Sequence, residues 1–109
     1  MRLIIAIVQD PDAGVLMDVL AENGYTATKL SSTGGFLRQG NTTILIGVED
    51  TETAPVMALI KATCHSRKQM KVIPSAIGYP MNGHIQTMPV EVTVGGATIF
   101  VMDIVEFIK

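Results

Sequence analysis

The sequence predicts an α+β fold in which two helices cover an antiparallel sheet, and three observations carry that prediction. Aliphatic and β-branched runs of strand length recur at Leu3 to Val8, Thr42 to Val48 and Ala97 to Val105. Two intervening stretches repeat their apolar residues at helical spacing instead. The apolar fraction is 48 % but the aromatic fraction only 5 %, so the core is built from Ile, Val, Leu, Met and Ala. At 109 residues the chain suits one domain, 1–109, and is too short for two.

The first strand, Leu3 to Val8, runs into Asp10-Pro11, where the Asp side chain is placed to cap a helix and Pro is tolerated in its first turn. That helix extends to about Asn23, with Val15, Leu16, Val19 and Leu20 as its apolar stripe and Gly24 as a left-handed C-terminal cap. Tyr25 to Leu30 reads as the second strand and pairs with Thr42 to Val48 in a hairpin. Asp50 or Thr51 caps a second helix of about fourteen residues. Its Val56, Leu59, Ile60 and Thr63 share a face, and Arg67 and Lys68 lie near its C-terminal end. From Gln69 to Pro89, Pro74, Gly78, Pro80, Gly83 and Pro89 interrupt every apolar run, which predicts a long loop with at most a brief strand at Lys71 to Ile73. Pro89 to Val94, Gly95-Gly96 and Ala97 to Val105 read as a closing hairpin. The order is β-α-β-β-α, long loop, β-β: a ferredoxin-like βαββαβ plan with an extra hairpin strand.

In such a plan both helices lie on one face of the sheet, and a water-facing second face should be polar. It is not. Leu3, Ile5 and Ile7 alternate with Ile4, Ala6 and Val8; Leu45 and Gly47 with Ile44, Ile46 and Val48; Phe100, Met102 and Ile104 with Ile99, Val101 and Val105. Each exposed aliphatic side chain forgoes about 1.5 to 3 kcal/mol of burial, so the pattern predicts a homo-oligomer packed through the open face.

Several function classes drop out. A formal charge of -2 without a basic run predicts neither a nucleic-acid nor an anionic-membrane partner. The apolar run after Arg2 is short and has no small-residue cleavage site behind it, so it reads as a strand rather than a signal peptide. The single Cys64 cannot form an internal disulfide, which fits a reducing compartment. Cys64, His65 and distant His84 match no zinc spacing. No Walker lysine follows Gly40, GGFLRQG is not a Rossmann fingerprint, and no nucleophile-base pair is evident. The sequence therefore predicts a binding protein, without metal or catalytic residues.

The segment GGFLRQGNTT, from Gly34 to Thr43, sets glycines beside Phe36, Arg38 and Asn41. Glycine admits a close ligand, and Phe36-Leu37 is an odd choice for a plain surface turn, so a flat, partly apolar ligand fits there. In the alternative, Phe36 and Leu37 pack a hairpin turn, Asn41 caps it and Gly47 relieves crowding.

The ending VGGATIFVMDIVEFI resembles the closing segment of the PII signal-transduction proteins, with Thr98 where their pattern has a phosphate-binding lysine. IIAIVQD, ATKLSSTGGFLRQGNTT and PVEVTVGGATIFVMD, in that order, resemble the PII-like cyclic-di-AMP receptors of the PstA or DarA family across nearly the whole chain. That resemblance implies a cytoplasmic homotrimer with cyclic-di-AMP at the subunit interfaces. It places ligand contacts at Thr28, Gly35, Phe36, Leu37, Asn41 and Gly47, with Thr26, Gly34, Arg38 and Gly96 as further candidates. Gly24 and Thr26 stand where the family has an asparagine and an arginine. Asn41 suits the donor-acceptor edge of adenine, Phe36 its π face, and the Gly34-Gly35 amides with Arg38 suit phosphate. The competing readings are a sensor of ATP or ADP and an adaptor trimer without a small ligand. The downstream protein target is not legible in the sequence.

Overall fold

In the computed structural model, the described residues are 1–30, 40–74 and 87–109. Strand β1 (Arg2–Gln9) leads into helix α1 (Asp10–Glu22), then β2 (Ala27–Leu30) and β3 (Asn41–Val48). A 3-10 turn (Asp50–Glu52) precedes α2 (Thr53–Thr63), which is followed by β4 (Arg67–Pro74), β5 (Thr87–Val94) and β6 (Ala97–Asp103). The main sheet has the order β2-β3-β1-β6, all antiparallel, and β4 and β5 form a separate two-stranded ladder. This is the ferredoxin-like arrangement of the PII-like fold, with β6 as the fourth sheet strand and the β4–β5 arm inserted between α2 and β6.

Strand parity decides the core. Ile4, Ala6 and Val8 of β1 pair across with Ile46, Ile44 and Thr42 of β3, and these side chains are buried under the helices. Leu16 and Leu20 of α1 and Val56 and Ile60 of α2 complete the cluster, with no accessible surface left. Each such side chain contributes about 1.5 to 3 kcal/mol of transfer free energy.

Several expectations change on contact with the structure. Asp10 does not cap α1: Gln9 takes that position, and the Asp10 carboxylate accepts the Thr42 hydroxyl instead, at 2.5 Å. Val15 points outward at 55 % exposure, because the buried stripe of α1 runs through Asp12, Ala13, Leu16 and Leu20. The second helix is an eleven-residue α-helix entered through the 3-10 turn. Arg67 and Lys68 lie just past its end and begin β4, an eight-residue strand that takes up the first part of the segment read as a loop, while Pro89 to Val94 is a strand as expected, within the eight-residue β5. Short-range breakers such as Pro74 and Pro89 fall at a strand end and on an arm that has two edges, where a missing N–H is tolerated. Gly95-Gly96 is not a hairpin turn either. Strand β5 pairs with β4 while β6 pairs with β1, so the two glycines, at φ 82 and 89, carry the chain from arm to sheet. The last strand ends at Asp103, before Val105.

The root of the arm is tightly knotted. Arg67 donates from Nη2 to Asp12 Oδ1 at 2.9 Å and from Nη1 to the His65 carbonyl at 3.2 Å. The Gly96 N–H donates to the Cys64 carbonyl at 2.5 Å. A Cβ at Gly95 would overlap the His65 carbonyl oxygen and the Arg67 guanidinium, and the positive φ disfavours any side chain there. Gly95→Ala should therefore destabilise the protein by about 2 kcal/mol or more in urea unfolding. Gly47→Ala, built into open space at an ordinary φ, should change stability little.

Candidate functional site

The side chains that the helices do not cover form rows across the sheet. Gly47, Leu3 and Met102 make one; Thr28, Leu45, Ile5 and Phe100 the next; Leu30, Thr43, Ile7 and Thr98 the third; Asn41 and Gln9 close the end. Phe100 and Met102 are each 52 % exposed and Leu30 42 %. The expected second apolar face is thus present on the described residues, and its polar members are Thr28, Thr43, Thr98, Asn41 and Gln9. Thr28, Asn41 and Gly47, all expected to contact ligand, lie on this one face because Thr28 pairs with Leu45, and Asn41 and Gly47 stand an even number of steps from Leu45 along β3.

A cleft opens at each end of the sheet. The larger, of about 500 Å³, lies where β3 finishes and includes Thr26, Gly47, Gly24 and Tyr25 in its lining. Gly24, at φ 83, lets the chain leave α1 and reach β2 within a few residues. The Tyr25 hydroxyl donates to Glu52 Oε2 at 2.5 Å, and that bond holds the phenol proton above its ordinary range. The Met1 ammonium sits 2.9 Å from Asp50, which raises the amine and lowers the carboxyl. Arg2 bridges Asp50 and Asp103, at 3.6 and 3.1 Å. Gly47 is exposed, and a Cβ there would meet nothing within 4 Å, so the strand offers bare backbone to whatever fills the cleft.

The second cleft, of about 260 Å³, lies where β3 begins and is lined by Ile7, Gln9, Asn41, Gly95, Gly96, Ala97 and Thr98. Asn41 pairs with Gln9 across β3 and β1. The expected site residues therefore divide: Thr26 and Gly47 belong to the first cleft, Asn41 and Gly96 to the second, and Thr28 to the open face between them. Asn41 and Gly47 are six steps apart on one strand, about 20 Å. Gly34, Gly35, Phe36, Leu37 and Arg38 lie outside the described residues. Sequence reasoning missed Gln9 and Tyr25. Gln9 was findable, because it continues the Leu3, Ile5, Ile7 parity of β1 and is its first polar member.

Among the described residues no three of His, Cys, Asp and Glu come together to hold a metal. Cys64 is buried at the end of α2, and burial, reinforced by the Asp12 carboxylate, pushes its thiol up to about 11. A thiol in that state is a packing group rather than a nucleophile.

The whole chain, residues 1–109, matches the family model described as cyclic-di-AMP receptor. It is also similar to a solved structure from Pediococcus pentosaceus ATCC 25745, described as a functionally unknown protein, at 39 % identity and a TM-score of 0.75, covering 99 % of this chain and 95 % of that one.

The Cys64 environment makes a solution prediction. Between the ordinary thiol value of 9.0 and about 11, the unfolded chain loses the proton while the native protein keeps it. Stability gained from the protonated thiol is thus fully present below pH 9 and is lost as pH rises toward 11. Urea unfolding across that range should show a shallower decline for Cys64→Ala than for the parent; equal slopes would place the thiol in water.

Proposed function

This chain belongs to the cyclic-di-AMP receptor family, and from that membership we infer how its clefts and open face serve the dinucleotide. It is a PII-like receptor, a binding protein. The carrying observation is the family match over the full 109 residues, and the register that puts Thr28, Asn41 and Gly47 together on the uncovered face supports the site reading.

In the proposed assembly the open face packs against further copies as a homotrimer, and cyclic-di-AMP sits between subunits. The Asn41 carboxamide meets an adenine edge, and Phe36 and Leu37 give the base an apolar surface. Thr28 adds a hydroxyl and Gly47 bare backbone, while the amides of Gly34 and Gly35 with Arg38 meet phosphate. Thr26 and Gly96 contribute at the cleft rims. Glu49 and Glu52 in the lining of the larger cleft favour the amino-bearing edge of a base over phosphate there. No further cofactor enters this reading. Sensing of ATP or ADP is disfavoured because the described lining of the second cleft carries no lysine or arginine, with Thr98 at the position where PII proteins have their lysine.

We place the receptor in the cytoplasm, on the strength of its single, buried cysteine; no helix among the described residues is long and apolar enough to cross a membrane. Its output is a ligand-dependent ordering of loops read by a protein target; the Gly34 to Arg38 turn, one of those loops, lies outside the described residues. A ligand orders loops only through unequal affinity for two forms, typically about 1 to 3 kcal/mol.

Calorimetric titration with cyclic-di-AMP, cyclic-di-GMP, ATP and ADP tests the reading: cyclic-di-AMP should bind tightest. Asn41→Ala and Phe36→Ala should each weaken that binding by about 1 to 3 kcal/mol. Folded variants that both bind like the parent would move the site elsewhere.

A further inference from the structure

We propose that Gln9 is a ligand-binding residue of this receptor, and that its one carboxamide links the bound dinucleotide to the root of the β4–β5 arm. The inference rests on the reading that the Asn41 cleft takes part of the ligand.

Gln9 ends β1 and occupies the N-cap position of α1, yet its side chain makes no capping bond to the helix. It reaches instead to Gly95, whose N–H donates to Gln9 Oε1 at 2.7 Å. That bond fixes the orientation of the amide, because an N–H donor must meet the oxygen and not the NH2. The NH2 is therefore turned away from Gly95, and it has no hydrogen-bond partner among the described residues. Gln9 lines the same cleft as Asn41, its cross-strand neighbour. The cleft thus offers two carboxamides with different capacities. Asn41 can turn either end of its amide to a ligand, while Gln9, its oxygen held by Gly95, presents chiefly the two N–H donors of its NH2. Its complement is a hydrogen-bond acceptor of the dinucleotide, a purine ring nitrogen or a phosphate oxygen.

The other end of the same amide holds a backbone that cannot yield easily. Gly95 is packed against the His65 carbonyl and the Arg67 guanidinium, Arg67 is paired with buried Asp12, and Gly96 is bonded to the Cys64 carbonyl. An acceptor drawn to Nε2 therefore pulls on the point where the arm leaves the sheet, which makes Gln9 a direct mechanical link between cleft and arm.

Two variants of the full-length protein separate the two ends of the amide. Gln9→Glu keeps an oxygen for Gly95 but replaces the donor with a negative charge; Gln9→Met keeps the length and removes both functions. Cyclic-di-AMP titration should show Gln9→Glu weakened about tenfold or more, with amide exchange at Gly95 as slow as in the parent. Gln9→Met should be weakened as well, with faster exchange at Gly95. Gln9→Glu binding within twofold of the parent, while Asn41→Ala binds poorly, would overturn the role of Gln9 and leave the cleft in place. If Gln9→Glu and Asn41→Ala both bind like the parent, the cleft itself is not the site and the proposal falls with it.

Discussion

Four strands carry aliphatic side chains on both faces, and two helices can cover only one. Ile4, Ala6, Ile44 and Ile46 vanish beneath α1 and α2, while Phe100, Met102 and Leu30 remain about half exposed on the opposite side. Covering that second face would recover burial that these groups forgo in water, about 1.5 to 3 kcal/mol each when complete, and this is the ground for the oligomer proposed above. The same face supplies Thr28, Thr98, Asn41 and Gln9 at its polar positions. In the proposed assembly burial and recognition draw on one set of strand positions, which is the physical reason for placing ligand between copies rather than in a cavity within one.

A second constraint lies at the arm root. The Asp12 carboxylate is only 5 % exposed, and the Arg67 fork that satisfies it comes from the first residue of β4. Losing the arginine would strand a buried charge, so the geometry is held far more firmly than by the exposed Lys68–Glu91 pair further out on the same arm. A two-stranded ladder has little stability of its own. Anchoring one end to α1, to the α2 terminus and to Gln9 gives it a defined origin close to the second cleft. The root of the arm and the lining of that cleft therefore share Gln9, Gly95 and Gly96.

Legibility in the sequence followed the range of the interaction responsible. Period-two alternation in β1, β3 and β6 revealed that both faces are apolar, since alternation is a local property; which set lies beneath the helices is decided by strand pairing and helix placement. The helical stripes gave α1 and α2, but not Val15, whose position on the stripe depends on the angle at which α1 lies over the sheet. The arm was hidden because β4, RKQMKVIP, alternates weakly and ends in Pro74, and because β5, legible as VEVTV, pairs with β4 through a register no local pattern encodes, Val90, Val92 and Val94 opposite Lys71, Gln69 and Arg67. Gly95-Gly96 resembles a hairpin turn in isolation. Only non-local pairing of β5 with β4 and of β6 with β1 turns it into a junction. Of the expected contacts, Thr28, Asn41 and Gly47 fall on a common face, whereas Thr26 and Gly96 mark opposite clefts, a division no motif encodes.

Ligand binding as proposed depends most on copies of the chain covering the uncovered face. Light scattering on purified protein at micromolar concentration measures this directly. A mass about three times the 11.7 kDa of one chain is the predicted result. A stable monomer under those conditions, with the Phe100 and Met102 face left in water, would contradict it.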